Sequence, residues 1–344
     1  MTNFFEPRLN TWLEARGEES DVVLSSRVRI ARNLPNKVFP VYLQKEQTID
    51  SVFGSLDESF QLLKMNDMQM LEKALLVEKH FISPYLMSKS EHGAVAINEK
   101  QNLSIMINEE DHIRIQSMVS GLNLEEALEK ALQIENEMEA KLGFAYDEQF
   151  GYLTSCVTNV GTGLRASAMV HLPGLVTTKQ IKKMIEAIRH LGFVVRGMYG
   201  EGSLPSSNIF QISNQVTLGK TELEIIEDLT EIVMQVIMQE RVARTMLKQK
   251  YHIALEDRIF RACGLLENCR MITEAESSDA ISDLRLGVEL GYLEHITREK
   301  VNELVIFSQP AFLRQAAGHD LNDFEEKVIR ARVIRDLLEK MNHN

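Results

Sequence analysis

Two arginines near the start of the chain could together hold a phosphate group. Arg27 and Arg29 belong to the stretch Ser-Ser-Arg-Val-Arg at residues 25–29. In a strand, alternate side chains point to the same face, so the two guanidinium groups would lie side by side. Guanidinium groups donate paired hydrogen bonds to phosphate oxygens. A solvated edge strand that merely carries charge is the simpler alternative, and the pair alone does not decide between them.

A second group of charged residues runs from Asn108 to Arg114 and contains Glu109, Glu110 and Asp111. It directly follows an apolar run typical of a strand, where side chains can project into a site. Carboxylates beside an arginine could serve a binding site, could ligate magnesium or calcium through oxygen, or could form a solvated turn. The spacing of an EF-hand is absent, so a calcium loop of that kind is not expected.

A third stretch, residues 154–167, joins two apolar runs and contains Cys156, Gly161, Gly163 and Arg165. The glycines would let the backbone approach a ligand closely. A cysteine in this position is more often a small buried residue than a reactive thiolate, unless neighbouring cations lower its pKa. The arginine could supply such an environment if it lies close to the thiol.

The fourth stretch, residues 196–203, combines Arg196, Glu201 and three glycines. A plain surface turn is the alternative to a ligand-binding loop here. Farther on, residues 219–221 read Gly-Lys-Thr and imitate the end of a P-loop. Asn214 stands where that motif requires its first glycine, which excludes a P-loop.

Hydrophobic periodicity indicates which elements position these stretches. Apolar and β-branched runs predict strands at residues 22–30, 93–97, 103–107, 151–158, 165–172, 192–198 and 207–213. Asn123 and Glu126 have the spacing of a capping box before a helix, and a second amphipathic helix is predicted around Ile181–Ile188. Beyond about Lys220 only helical periodicity remains. The pattern predicts an α+β fold in three parts: an N-terminal segment 1–20, an α+β domain 21–245 and an all-helical C-terminal domain 246–344.

Composition excludes several classes of protein. A formal net charge of -12 and a pI of about 5.4 disfavour nucleic acid as a partner. Neither a leader peptide nor an apolar run long enough to cross a membrane is evident, and three cysteines do not form a disulfide framework. We therefore expect a cytoplasmic protein without membrane contact. Cys263 and Cys269 are interpreted as core and turn thiols, not as a zinc site.

Taken together and in this order, the four stretches resemble the ATP:guanidino phosphotransferases, the family of arginine and creatine kinases. Thr158-Asn159, Gly161-Thr162 and Arg165-Ala-Ser around Cys156 are similar to the family signature, and Asn108–His112 with Arg114 is similar to its acidic segment. The similarity covers roughly residues 20–220. Within the family the chain resembles the bacterial protein-arginine kinases most, because the Ser-Ser-Arg-Val-Arg stretch begins early. The helical domain that precedes it in enzymes of small guanidino substrates is expected to be missing.

The resemblance implies an antiparallel sheet flanked by helices, with the guanidino kinase catalytic domain followed by the helical tail. It implies ATP as phosphoryl donor, with Mg²⁺ held through ATP and not by the protein. The implied ATP-binding residues are Ser25, Ser26, Arg27, Val28, Arg29, His80, Arg114, Arg165, Ala166, Ser167, Ala168, Met169, Arg196, Gly197, Met198, Tyr199 and Gly200. Glu110 and Glu201 would hold the acceptor guanidinium and receive its proton, and Cys156 would add a negative contact as a thiolate.

Two departures from the family pattern stand out. Val157 occupies the position of a proline after the signature cysteine. In the tail, a phosphoarginine-binding Arg-Asp-x-x-Arg-Ala motif is reduced to Arg330 and Ala331, with Glu326-Lys327 at its start. The resemblance therefore implies a degenerate phosphoarginine pocket, in which allosteric activation is not expected.

The function implied is protein-arginine phosphorylation, which marks proteins for a Clp-type chaperone-protease and inactivates a heat-shock repressor. Implied partners are arginine-containing protein substrates, a zinc-binding activator protein and a second copy of the chain in a homodimer. Two alternatives remain: a kinase of free arginine or a related small guanidino compound, and a catalytically silent adaptor that keeps the fold.

Overall fold

The computed structural model describes residues 3–89, 92–197 and 208–342. Its strands are β1 (Val23–Arg32), β2 (Phe60–Lys64), β3 (Ala94–Asn98), β4 (Leu103–Ile107), β5 (Ile113–Ser120), β6 (Tyr146–Asp147), β7 (Gly151–Tyr152), β8 (Leu164–His171), β9 (Phe193–Arg196) and β10 (Ile209–Asn214). Its helices are α1 (Glu46–Phe53), α2 (Met70–Glu78), α3 (Pro84–Lys89), α4 (Leu124–Leu142), α5 (Pro173–Thr177), α6 (Ile181–His190), α7 (Glu222–Lys250), α8 (His252–Asn268), α9 (Glu274–Glu289), α10 (Arg298–Phe307), α11 (Pro310–Ala317) and α12 (Asp323–Asn342).

Eight of these strands form one antiparallel sheet in the order β2-β3-β4-β5-β1-β8-β10-β9. The α+β fold with an antiparallel sheet, flanking helices and a helical C-terminal region is therefore confirmed. Strand β1 lies in the interior of the sheet, hydrogen-bonded to β5 on one side and β8 on the other. Its two serines, three arginines and five apolar residues are divided between the two faces by the strand's period of two.

The two faces of the sheet have different coverings. On one face Val28, Ile30 and Ala166 belong to a core shared with α4 and α7, represented by Leu128 and Val233. Capping starts α4 as predicted, because the Asn123 side chain accepts a hydrogen bond from the Glu126 amide. The helices cover this face completely enough to leave the strand side chains there buried.

The other face is covered only in part, by the C-terminal helices. Met118 and Met169 of this face belong to a second core with Ile281 and Leu284 of α9. The uncovered part of the same face carries the arginines. The predicted domain boundary between residues 245 and 246 falls inside α7, which ends at Lys250, and it stays a prediction.

The strand predicted at residues 151–158 is wrong beyond Tyr152. Thr154 and Ser155 instead direct their side chains to nearby backbone oxygens, and a short 3₁₀ helix follows at Val157–Asn159. Strands β2 and β5 and helices α1, α2 and α3 were not predicted. No helix within the described ranges has the length and apolar character needed to span a bilayer.

Candidate active site

A cavity of about 290 Å³ lies on the uncovered part of the sheet face. Its lining brings together residues from all four stretches singled out in the sequence. Charged and polar members include Arg27, Arg29, His80, Glu109, Glu110, Arg114, Gln116, Asn159, Arg165, Arg196 and Gln211. The five arginines define what is called here the arginine cluster: Arg27, Arg29, Arg114, Arg165 and Arg196.

Strand register explains why the arginine cluster forms. Arg29 on β1 lies directly opposite Arg165 on β8, and opposite Gln116 on β5. Residues directly opposite in an antiparallel pair project from the same face. Arg114 lies two residues before Gln116, and it therefore shares that face. Arg196 on β9 reaches the same face through its pairing with Gln211 of β10.

The cluster concentrates positive charge where water is largely excluded. Burial, together with Arg165 and Arg114, lowers the pKa of Arg27 to about 10. Burial, followed by the charges of Arg27, Arg114 and Arg165, lowers the pKa of Arg29 well below its ordinary value. Arg27 donates a hydrogen bond from Nη2 to Gln211 Oε1 at 2.9 Å, whereas the buried Nε of Arg29 has no hydrogen-bond partner among the described residues. An anion with several oxygens would relieve both the repulsion and the missing hydrogen bond.

Carboxylates lie at one end of the cavity, on the turn between β4 and β5. Arg114 donates to Glu109 at 2.7 Å and to Glu110 at 3.0 Å. Burial lowers the pKa of Arg114, but the charges of Glu109, Glu110 and Asp111 outweigh burial and raise it overall. Glu109 is buried and also accepts the Ser83 hydroxyl at 2.5 Å, while the Glu110 side chain is 37% exposed. Glu110 is therefore the carboxylate with room for a further partner.

The acidic turn is not the solvated turn that was one alternative in the sequence. Asn108, Glu109, Asp111 and His112 are all buried. Asp111 accepts hydrogen bonds at Oδ1 from the Asn33 side chain at 2.6 Å and from the Ser155 amide at 2.7 Å. These contacts fix the turn in place.

The loop that carries Cys156 is tied to the same turn. The Ser155 hydroxyl donates to the Glu110 carbonyl oxygen at 2.6 Å. Cys156 itself is half-buried, and its sulfur lies 3.0 Å from the Thr158 hydroxyl. It does not line the cavity. Val157, the departure from proline, is 83% exposed and makes no part of the core.

Gly161 and Gly163 do allow a close backbone approach, but the partner is the protein itself. A Cβ atom on Gly161 would meet the Thr217 carbonyl oxygen at 2.4 Å, and one on Gly163 would meet that of Ala31 at 2.6 Å. Both residues have positive φ. The glycines therefore seat the Cys156 loop against neighbouring strands.

His80 lines the cavity beside the arginine cluster and is buried. Burial, reinforced by the charges of Arg27 and Arg29, lowers its pKa to about 3. The imidazole is therefore neutral at physiological pH.

Sequence comparison agrees with this geometry. The family described as ATP:guanido phosphotransferase, C-terminal catalytic domain, matches residues 44–243. The chain belongs to this family. A second family, described as Protein-arginine kinase McsB C-terminal domain, matches residues 252–344.

Relatives and solved structures extend the similarity. The Protein-arginine kinase of Listeria welshimeri is 68% identical over 336 residues, which are 98% of this chain and 99% of that protein. The Protein-arginine kinase of Geobacillus kaustophilus is 50% identical over 346 residues, 97% of this chain and 95% of that protein. A taurocyamine kinase from Schistosoma mansoni shares the fold with a TM-score of 0.59 and 24% identity, over 70% of this chain and 36% of that one. A lombricine kinase shares the fold with a TM-score of 0.58 and 23% identity, over 69% of this chain and 70% of that one.

Several residues that the family resemblance assigned to ATP do not reach the cavity with their side chains. Val28, Ala166 and Ala168 lie in the core on the opposite face, and the Ser26 hydroxyl donates to the Gly121 carbonyl oxygen. Three others, Ser25, Ser167 and Met169, lie around a small neighbouring pocket together with Arg27 and Gln211. Gly197 directly follows β9, and Met198, Tyr199, Gly200 and Glu201 lie outside the described residues.

In the tail, Arg330 is buried and Ala331 belongs to the second core. The Arg330 guanidinium donates to Glu326 at 2.6 Å and to the Ser308 carbonyl oxygen at 3.1 Å. Glu326, one turn earlier on α12, thus supplies a carboxylate to this arginine.

Sequence reasoning missed the polar residues that hold the site together: Asn33, Ser83, Gln116 and Gln211. None of the four shares a sequence motif with its hydrogen-bond partner. The two residues of each pair are 26 to 184 positions apart in the chain. Strand register places Gln116 and Gln211. Asn33 directly follows β1 and Ser83 directly precedes α3, so the turns at these positions place the other two.

Proposed function

We propose that this protein is a kinase that transfers the γ-phosphoryl group of ATP to the guanidinium of arginine residues in proteins. The observation that carries the proposal is one cavity lined both by the arginine cluster and by a partly exposed carboxylate, Glu110. The same arrangement is what guanidinium phosphorylation requires, because a polyanion and a cation must meet there. Relatives named Protein-arginine kinase, at 68% and 50% identity over nearly the whole chain, support the acceptor.

The arginine cluster would bind the phosphates of ATP. Planar guanidinium groups match phosphate oxygens in pairs and keep their charge near neutrality. Of the lining carboxylates, Glu109 and Glu110 are both engaged by Arg114. The described ranges contain no cluster of three or more His, Cys, Asp or Glu side chains suited to a metal. This donor set fits a magnesium ion held through ATP, which when bound offsets the charge of the phosphates.

Glu110 would hold the acceptor guanidinium and take its proton as the N–P bond forms. An arginine side chain keeps its proton far above neutral pH, so a positioned carboxylate would serve as the base. Glu201, outside the described residues, would be its counterpart. Cys156 would contribute to positioning and electrostatic tuning of the acceptor, from the loop that Ser155 ties to Glu110.

Phosphoamino-acid analysis tests the proposal. The protein is incubated with Mg·ATP and an arginine-rich protein, and separately with free arginine. We expect acid-labile phosphate on protein arginine, absent in Glu110→Gln, and little transfer to free arginine. Strong turnover of free arginine would instead identify a small-molecule guanidino kinase. ATP binding without transfer to either acceptor would identify a silent adaptor, and phosphate only on serine or threonine contradicts the proposal.

The family resemblance further supports a cellular role. We propose that the modification occurs in the cytoplasm, marks proteins for a Clp-type chaperone-protease and inactivates a heat-shock repressor. A zinc-binding activator protein and a homodimer belong to the same proposal. Because Glu326 and Ser308 already engage Arg330, added phosphoarginine is not expected to activate the enzyme.

A further inference from the structure

The turn that carries His80 is held by parts of the chain that are distant in sequence. The His80 carbonyl oxygen accepts a hydrogen bond from the Gln116 side chain on β5 at 2.7 Å. The His80 ring packs edge-on against Trp12, with 5.5 Å between ring centroids. The two preceding residues, Glu78 and Lys79, make the remaining connections. Residues 78–80 lie at the C-terminal end of α2, and this end of the helix forms one wall of the cavity.

Lys79 ties this turn to the N-terminal segment. Its buried ammonium donates to the carbonyl oxygens of Phe4 at 2.9 Å and Glu6 at 2.7 Å. Its own carbonyl oxygen accepts from the Asn10 side chain at 3.1 Å. Burial lowers the pKa of Lys79 to about 8, which shows that the ammonium is held here at a cost. The fixed backbone oxygens of Phe4 and Glu6, together with the negative charge of Glu6, offset that cost.

Glu78 ties the same turn to the C-terminal helices. Its carboxylate accepts hydrogen bonds from the first-turn amides of α11, Ala311 at 2.8 Å and Phe312 at 3.2 Å. These amides have no partner within their own helix, and a carboxylate also interacts favourably with the helix dipole. Gln315 of α11 donates to the Phe5 carbonyl oxygen at 2.6 Å. The turn, the N-terminal segment and α11 thus contact one another pairwise.

His80 needs this support because its backbone is strained. Its φ is 60°, in the left-handed region that residues with a side chain avoid. Such a conformation persists only where the surroundings impose it, and it is commonly found at functional sites. Without the contacts of Glu78 and Lys79, the turn would be free to relax and to move the imidazole away from the arginine cluster.

We propose that Glu78 and Lys79 are positioning residues of the nucleotide site, which hold His80 against the arginine cluster by tying its turn to α11 and the N-terminal segment. The inference rests on the proposed function, because it takes the cavity beside His80 to receive ATP. None of the described C-terminal helix residues lines the cavity. The C-terminal helices would nevertheless influence the affinity of the cavity for nucleotide, because α11 holds Glu78.

The test compares Glu78→Ala and Lys79→Met with Lys73→Met, a control on the same helix. At pH 8, KM for ATP should rise about fivefold to tenfold in the first two variants. KM for the protein acceptor should stay unchanged, which separates positioning of the nucleotide from general damage. Lys73→Met should match the unaltered protein in both constants. Glu78→Ala removes both acceptor oxygens whether or not the carboxyl is ionised, and it carries the test if Lys79→Met does not fold.

Trp12 supplies a second readout that does not depend on catalysis. It is the one tryptophan in the sequence, and it contacts the His80 ring. Binding of ATP should change the fluorescence of Trp12. The two variants should need correspondingly more ATP to reach half of that change. Unchanged KM and an unchanged fluorescence titration in folded variants would refute the positioning role while leaving the kinase intact. Failure of the unaltered protein to bind ATP by calorimetry would refute the proposed function itself, and the inference with it.

Discussion

Glu109 and Glu110 are neighbours in sequence, yet the structure gives their carboxylates different surroundings. Glu109 is buried and bound by Arg114, by Ser83 and by the Glu110 amide. Among the described residues Glu110 has one ion pair, to Arg114, and its side chain is 37% exposed. The first carboxylate holds the site together, and the second is available to a substrate. Substitution of each should therefore produce a different defect.

We expect Glu110→Gln to lower phosphoryl transfer at least about 100-fold, because the amide cannot accept the acceptor's proton. Affinity for ATP should change little, since all five arginines remain and Arg114 keeps its ion pair with buried Glu109. Steady-state kinetics and calorimetric titration with ATP measure the two effects. Glu109→Gln is the matched control, and it should mainly lower the melting temperature by leaving Arg114 short of a partner. Full transfer by Glu110→Gln would remove Glu110 from the mechanism.

Substitution of Arg29 should show how much the assembly of the arginine cluster lowers the free energy of unfolding. Its pKa is lowered by burial and by neighbouring arginines, and its Nε lacks a hydrogen-bond partner among the described residues. Arg29→Met should therefore raise the free energy of unfolding by about 1 kcal/mol while weakening ATP binding. Chemical denaturation and ATP titration provide the two measurements. Arg261→Met, at a side chain that is 79% exposed, should change neither, and a destabilised Arg29→Met would show that the cluster is structural.

At the scale of the elements, local patterns and long-range pairing contribute separately. The strand pattern predicted that Arg27 and Arg29 share a face, and the structure confirms it. That pattern alone could not show that Arg165 lies opposite Arg29, because register between strands more than a hundred residues apart depends on the whole sheet. The predicted strand at 151–158 failed because side-chain hydrogen bonds to backbone compete with strand formation.

Substitution of Gly163 tests how closely the backbone before β8 must approach the backbone of β1. It combines a φ of 65° with a Cβ position 2.6 Å from the Ala31 carbonyl oxygen. Gly163→Ala should cost about 2 kcal/mol or more and displace Arg165, two residues on, with weaker ATP binding. Gly192→Ala is the control, because Gly192 has a φ of 84° but no atom within 4 Å of its Cβ position. If both variants lose equal stability in thermal denaturation, the strain of a positive φ alone explains why glycine occupies position 163. The close approach to Ala31 would then play no part.

At the scale of the whole molecule, the C-terminal helices belong to the same packed body as the sheet. The His171 ring lies 2.9 Å from the Ser282 hydroxyl of α9. Buried Arg285 donates to the Ser20 carbonyl oxygen at 3.0 Å. Helical periodicity predicted that a helical tail exists. It carried no information about which part of the sheet the tail covers, and hence none about where the cavity is left open.

The Glu78 contact with α11 should make stability depend on pH. Burial raises the pKa of Glu78 from 4.5 to about 7, against the lowering effect of the Ala311 and Phe312 amides and of Arg314. The folded protein then binds this proton more tightly than the unfolded chain, so the contribution to stability is full below about pH 4.5 and is lost as pH rises through about 7. Relative to Glu78→Gln, which cannot titrate, the unaltered protein should lose roughly 2 kcal/mol between pH 5 and pH 8.

Chemical denaturation of both proteins at the two pH values measures this difference, and the comparison cancels the titration of other groups. An equal difference at pH 5 and pH 8 would mean that Glu78 keeps the same charge in the folded and unfolded states. A larger advantage of the unaltered protein at pH 8 would mean that the amides of α11 outweigh burial. In that case ionisation of Glu78 would strengthen the junction between the sheet and the C-terminal helices beyond what the protonated carboxyl provides.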